Sequence, residues 1–276
     1  MGKNSFPRSV VLIKLGGAVI TDKSVPNTVR RDVLKRLIGE IKAAQAEIEE
    51  TIVLGHGSGS FGHVPASQYG TIDGFKNEES RLGMAIVQDT AARLNRIVIR
   101  ECLRQGLPAV TLAASNSLLT DNKKAKEFFT AVFREYLVQG MLPVTYGDVI
   151  VDQSIGCTIW STDKILAFFA QKFLENDWRV TKIVHVTQVP GVYRDLSKPE
   201  QGIFESITAD NAALVKQAMG VTRGFDVTGG MWHKIEESLA MARQGVETAI
   251  IAGEKPGLLH DCLTGRQFTG TRIGAA

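Results

Sequence analysis

Two apolar runs open the chain. Residues 9–15 are dense in valine, leucine and isoleucine, the composition of a strand buried on both faces of a parallel sheet, and residues 52–54 repeat it. Between them Val33, Leu34, Leu37, Ile38 and Ile41 recur at helical spacing, which predicts an amphipathic helix over 31–50. The alternation continues. A long helix is predicted over 80–105, with an apolar face that includes Ile86, Val87, Ala91, Leu94, Val98 and Cys102 and a stop at Gly106. Strands are expected over 108–112 and 141–146, with a helix over 128–139 after the charged surface turn at 121–124. A small hairpin over 149–152 and 157–160 leads into a further helix. Then come a strand at 182–186, a turn at 189–193, a helix at 209–219, a Gly-rich turn at 226–231 running into a helix, and strands at 248–252 and 270–273, the last a closing edge. No period of 20 to 50 residues repeats. Strands that alternate with helices predict an α/β fold whose mainly parallel sheet is covered on both faces.

The polar interruptions carry the chemistry. Val53-Leu54 empties into Gly55-His56-Gly57-Ser58-Gly59-Ser60-Phe61-Gly62-His63, where glycines let the backbone turn and bring its N–H groups close to a ligand. That is the composition of a phosphate cradle, though an ordinary strand-to-helix loop would also use it. The first strand ends in Lys14-Leu15-Gly16-Gly17, and a lysine in a buried strand is costly unless an anion meets it or it snorkels to the rim. Thr21-Asp22-Lys23 is a polar turn able to bring a second lysine back toward Lys14. Ser161-Thr162-Asp163 suits a helix N-cap, and its carboxylate could equally hold lysine side chains. In Asp226-Val227-Thr228-Gly229-Gly230-Met231 a glycine turn at a helix N-terminus offers free N–H groups and the helix dipole to an anion.

Composition narrows the classes. The 276 residues are 44% hydrophobic and carry a net charge of +3 with both signs interspersed, so no basic stripe suits nucleic acid. Cys102, Cys157 and Cys262 are odd in number and far apart, against a disulfide framework or a Cys/His zinc site, and they fit a reducing cytoplasm. Residues 10–15 are too few for a signal sequence or a membrane span.

Lys14-Leu15-Gly16-Gly17 with Thr21-Asp22-Lys23, His56 to His63, Gly147-Asp148, Ser161-Thr162-Asp163, Gly191-Val192-Tyr193 and Asp226 to Met231 resemble the amino acid kinase superfamily. Within it they are similar to the isopentenyl phosphate kinases, which the Ser60-Phe61-Gly62-His63 signature marks. The resemblance spans residues 10–273. It implies an open αβα sandwich, a homodimer, an acceptor-binding and dimerising lobe over 1–176 and an ATP-binding lobe over 177–276. The implied reaction joins ATP, with Mg²⁺, to isopentenyl phosphate, with dimethylallyl phosphate as a further acceptor, to supply isoprenoid precursors. Carried over by position, Lys14 and Lys23 neutralise the transferring phosphoryl group and Asp163 orients the lysines. Gly57, Gly62 and His63 hold the acceptor phosphate, and Gly83 and Gly156 are also assigned to the acceptor. Gly16, Gly17, Ser58, Thr162, Gly230 and Lys234 serve the nucleotide. No protein metal ligand is implied.

Two segments depart from the family pattern: Thr162-Asp163-Lys164 stands where Gly-Asp-Asp is common, and Pro190 stands where aspartate is common. Fosfomycin kinases resemble this group in the glycine loop and histidine and carry a Ser-Ser-Asp-Arg-like segment, so a polar phosphonate is the competing acceptor; a non-catalytic nucleotide-binding regulator is a further alternative. A phosphate monoester acceptor is mostly a dianion at neutral pH, so the chemistry requires positioning and charge neutralisation and no strong base. His63 then acts as a donor to the acceptor phosphate, and His56 braces the loop.

Overall fold

A computed structural model describes residues 9–176, 178–220 and 227–275, with side chains except at 63–65, 67, 220, 227–230 and 233. Among these residues an eight-stranded sheet runs in the order β12 (Ser206–Ile207), β14 (Thr271–Ile273), β13 (Glu247–Ala252), β9 (Arg179–Thr187), β1 (Ser9–Leu15), β2 (Thr51–His56), β6 (Leu142–Tyr146) and β3 (Ala109–Thr111). From β13 to β3 every pairing is parallel, while β14 is antiparallel to β13 and parallel to β12. The expected closing edge at 270–273 is thus an interior strand, because the two-residue β12 pairs outside it. The boundary expected at 176/177 lies between α6 (Thr162–Leu174) and β9, and the sheet crosses it without a break.

Period-two alternation sorts the side chains of β1. Val11, Ile13 and Leu15 join one buried cluster with α2 (Arg31–Gln45), α4 (Glu79–Arg104) and α9 (Leu258–Leu263). Val10 and Leu12 face the opposite cluster, built on α6 and α5 (Thr130–Val138). Lys14 shares their parity. It therefore lies on the α6 face, at the C-terminal end of its strand, where ligands of open parallel sheets bind. On that side α8 (Val227–Ala242) follows α7 (Ala212–Gly220) and packs on β13 and β14.

Several expectations needed adjustment. The helix begun at Arg31 ends at Gln45, since Glu47, Glu49 and Glu50 would sit at the negative end of its dipole. Residues 59–69, which read as part of a glycine loop, form α3 (Gly59–Tyr69), following the short α1 (Gly17–Ile20) in space. The charged turn at 121–124 is the tip of a hairpin, β4 (Leu118–Asp121) and β5 (Lys124–Phe128), so the next helix starts at Thr130 and Phe128 belongs to the strand. A short ribbon of β10 (Val192–Tyr193) and β11 (Ile203–Phe204) replaces part of the expected turn after β9.

The hairpin joins β7 (Asp148–Asp152) and β8 (Gly156–Trp160) in a four-stranded sheet ordered β5-β4-β7-β8. One carboxylate ties it together. Buried Asp152 accepts from the Thr120 hydroxyl at 2.9 Å and from the amides of Asn122, Lys123, Ser154 and Ile155 at 2.7–3.1 Å. Burial opposes its charge, but these hydrogen bonds outweigh it and hold the carboxyl below its ordinary pKa. Asn122 and Lys123 both have positive φ, 46° and 65°, the backbone of a two-residue hairpin turn. Asp152→Ala should lower the unfolding free energy by about 2–3 kcal/mol at pH 7, read from urea titration. Because the folded-state pKa is depressed, the wild type's advantage is full above the ordinary carboxylate range and shrinks as pH falls through the folded value.

Candidate active site

The turns after β1 and β2 meet backbone to backbone. A Cβ on Gly17 would lie 2.3 Å from the Gly59 nitrogen, and one on Gly57 would lie 2.7 Å from the Gly17 nitrogen. No other residue fits at either position. Thr21, fully buried, clasps the pair: its hydroxyl donates to the Gly17 carbonyl at 2.7 Å and accepts from the Ser60 amide at 3.0 Å. Gly59, with φ of +51°, opens α3, and Gly62 packs directly on the Ser58 side chain. Gly16 donates to the Val186 carbonyl at 2.8 Å, which ties this turn to the end of β9.

These turns form one end of a cavity of about 640 Å³. Lys14, Gly17, Lys23, Gly57, Ser58, Gly62, Thr162 and Asp163 all line it. Lys23 is exposed on a turn shaped by Asp22, whose carboxylate accepts from the Ser24 amide and hydroxyl. Gly83 and Gly156 are placed elsewhere: their Cα atoms lie against the rings of Tyr69 and Phe75, and neither residue lines the cavity. The side chain of His63 lies outside the described residues, as do residues 221–226, and Gly230 is described only as part of the α8 backbone. Thr228–Gly230 belong to the first turn of α8, not to a turn preceding it.

Asp163 is the hub. It sits in the first turn of α6, whose N-cap is Ser161, with the Lys164 amide donating to the serine hydroxyl at 3.2 Å. One carboxylate oxygen, Oδ2, accepts from the Lys14 ammonium; the other, Oδ1, lies 3.6 Å from Lys234 Nζ and 3.2 Å from His185 Nδ1. The four side chains are only 7–24% exposed. Burial would raise the Asp163 pKa, but His185, Lys14 and Lys234 outweigh it and hold the carboxyl well below the usual range. Burial pulls the Lys14 pKa down, against the attraction of Asp163, and Lys234 adds repulsion. His185 falls to about 4, chiefly through burial, so at neutral pH it is an uncharged imidazole. Two lysines then share one carboxylate, leaving an excess positive charge beside the glycine turns.

The departures at Thr162 and Lys164 have structural roles. Thr162 is buried, and its hydroxyl donates to the His56 carbonyl at 2.7 Å while its methyl packs against Gly55. Lys164 turns away, its ammonium 4.0 Å from the centre of the Trp160 ring and 3.0 Å from the Lys123 carbonyl. It brings no charge against Asp163. His56 braces the loop from below: it is buried, stacks on Tyr146 at 5.6 Å and contacts Asn95 and the Gly57 carbonyl at 3.2 Å.

The far end of the cavity is apolar, walled by Ala66, Ile72, Val87, Ala91, Val149 and Ile159. Asp148 also lines the cavity. Its buried carboxylate accepts from the Ser115 and Val149 amides, and burial raises its pKa despite them. Sequence reasoning gave His185 and Asn95 no part in the site and read Thr21 only as part of the turn that carries Lys23. His185 was findable only through strand register, since it pairs with Lys14 across β1 and β9.

A statistical model of the amino acid kinase family matches residues 9–253. The isopentenyl phosphate kinase of Methanothermobacter thermautotrophicus is 33% identical over 273 residues, covering 96% of this chain and 98% of that protein. That of Methanocaldococcus jannaschii is 30% identical over the same shares of both chains. A solved structure of an isopentenyl phosphate kinase aligns with a TM-score of 0.79 at 30% identity, covering 96% of this chain and 99% of the other. With its paired lysines set on one carboxylate at the strand ends, the chain belongs to the amino acid kinase family and stands within it among the isopentenyl phosphate kinases.

Proposed function

We propose that this chain transfers the γ-phosphoryl group of ATP to isopentenyl phosphate, giving ADP and isopentenyl diphosphate. The observation that carries this reading is one cavity with two unlike ends. The lysines and glycine turns suit phosphate, and the aliphatic wall from Ala66 to Ile159 suits a short branched hydrocarbon. A small polar phosphonate such as fosfomycin has nothing to fill the apolar end. Dimethylallyl phosphate, with the same carbon count, fits the same space.

In the reaction the bond between the γ-phosphorus and the β,γ-bridging oxygen breaks, and a bond forms from that phosphorus to an acceptor phosphate oxygen. Both partners are anionic, so the barrier is chiefly electrostatic. Lys14 and Lys234, gathered by Asp163, supply positive charge, and Lys23 adds a third cation from the rim. Gly57 and Gly62, which lack side chains, let the acceptor phosphate lie close to the turns, with His63 donating to it. Gly16, Gly17, Ser58, Thr162 and Gly230 serve the nucleotide phosphates. Mg²⁺ enters as part of the nucleotide substrate, bound by phosphate oxygens. Among the described residues no group of three or more His, Cys, Asp or Glu side chains could hold a metal ion. No helix among them is long and apolar enough to cross a membrane.

Three outcomes are expected. With MgATP in a coupled ADP-release assay, isopentenyl phosphate should be turned over at least about 10²-fold more efficiently than fosfomycin or uridylate, as the apolar wall demands; preference for fosfomycin would overturn the assignment. Lys14→Ala should lower kcat by about 10² or more, whereas an effect confined to KM would mean that Lys14 binds substrate and transition state equally. His63→Ala should sharply reduce turnover while His63→Asn keeps part of it, and full activity in His63→Ala would remove the donor role.

A further inference from the structure

His185 is a buried histidine that the reaction described above does not use. It faces Asp163 from the floor of the site. β9 pairs with β1 in parallel register so that His185 lies beside Lys14 on the same face of the sheet. Its Nδ1 is 3.2 Å from Asp163 Oδ1, and among the described residues neither of these buried atoms has another hydrogen-bond partner. Each is therefore matched to the other, because a buried donor or carboxylate oxygen left unpaired is costly. The charged groups around the ring are Lys14 from β1, Asp163 from α6, and Lys234 and Glu237 from α8; β13 presents Ile250. A void of about 20 Å³ lined by Ile183, His185, Lys234, Glu237 and Ser238 adjoins the imidazole.

We propose that His185 is a positioning residue: its Nδ1–H takes over Asp163 Oδ1 when Lys14 and Lys234 turn toward phosphate, and so keeps the carboxylate from swinging with them. The need arises from the shared carboxylate. With only the lysines to hold it, Asp163 loses its anchors as soon as they engage substrate, and displacements of about 1 Å at such a site cost on the order of 10² in rate. An uncharged donor suits the task because it adds no third cation to repel the two ammonium groups. A histidine at this point of the sheet is also set rigidly, since β9 is an interior strand with pairing on both sides.

The inference rests on the reading of Asp163 as the residue that orients the lysines, so Asp163→Asn is measured alongside. His185→Asn puts an amide N–H near the place of Nδ1, whereas His185→Gln puts it near Nε2, and both keep a polar side chain of similar bulk. In steady-state assays with isopentenyl phosphate, His185→Asn should hold kcat within about threefold of wild type, and His185→Gln should lose about tenfold with KM for the acceptor nearly unchanged. Equal kcat in the two variants, or losses that follow their melting temperatures instead of the placement of the amide, would overturn the inference. Full activity in Asp163→Asn would instead overturn the reading of Asp163 itself. An inactive Asp163→Asn beside two fully active His185 variants would sink only the part given to His185.

Discussion

Two lysines on one carboxylate set the terms for the rest of the site. Lys14 and Lys234 arrive from different halves of the chain and meet on Asp163, which itself caps neither strand but starts a helix between them. The cluster is stable without substrate because the carboxylate offsets part of the charge. It is also incomplete, because one negative charge faces two positive ones in a place where burial already weakens the Lys14 ammonium. An anionic phosphate supplies what is missing. The protein thus meets the cost of holding cations out of water before substrate arrives.

Sheet geometry delivers this cluster. Alternation along β1 sends Val11, Ile13 and Leu15 to one core and Lys14 to the face covered by α6, and register brings His185 beside it. The parallel strands end together, so the turns after β1 and β2 fall side by side at their C-terminal edge. Those turns touch through backbone atoms alone, which only glycine at positions 17 and 57 permits, and Thr21 fixes their spacing. The hairpin sheet pinned by Asp152 contributes Val149 and Ile159 to the cavity wall, alongside Ala66 from α3 and Val87 and Ala91 from α4.

Much of this was legible beforehand, for identifiable reasons. Strands β1 and β2, the long helix α4 and the parallel sheet announced themselves through apolar runs and helical spacing, and Lys14 stood out as a charge in a buried strand. Residues 59–69 did not read as a helix because Gly59, Gly62 and Pro65 speak against one; packing on α4 overrides their local preference. The β5 strand was obscured by Lys124, Lys126 and Glu127, since it is exposed at the edge of its sheet. The interior place of β14 depended on a two-residue strand, β12, too short to leave a pattern. His185 lay outside every motif until register set it beside Lys14, and the departures at Thr162 and Lys164 left the phosphate contacts open until the structure showed the Thr162 hydroxyl on the His56 carbonyl and Lys164 over Trp160.

The most direct test of the account is a crystal structure with isopentenyl phosphate and a non-hydrolysable ATP analogue bound together. The phosphate is expected among the glycine turns within hydrogen-bond reach of Lys14, with the hydrocarbon tail against Val87, Val149 and Ile159. A tail pointing to solvent, or an acceptor phosphate seated away from Lys14 while Asp163 still holds both lysines, would contradict it.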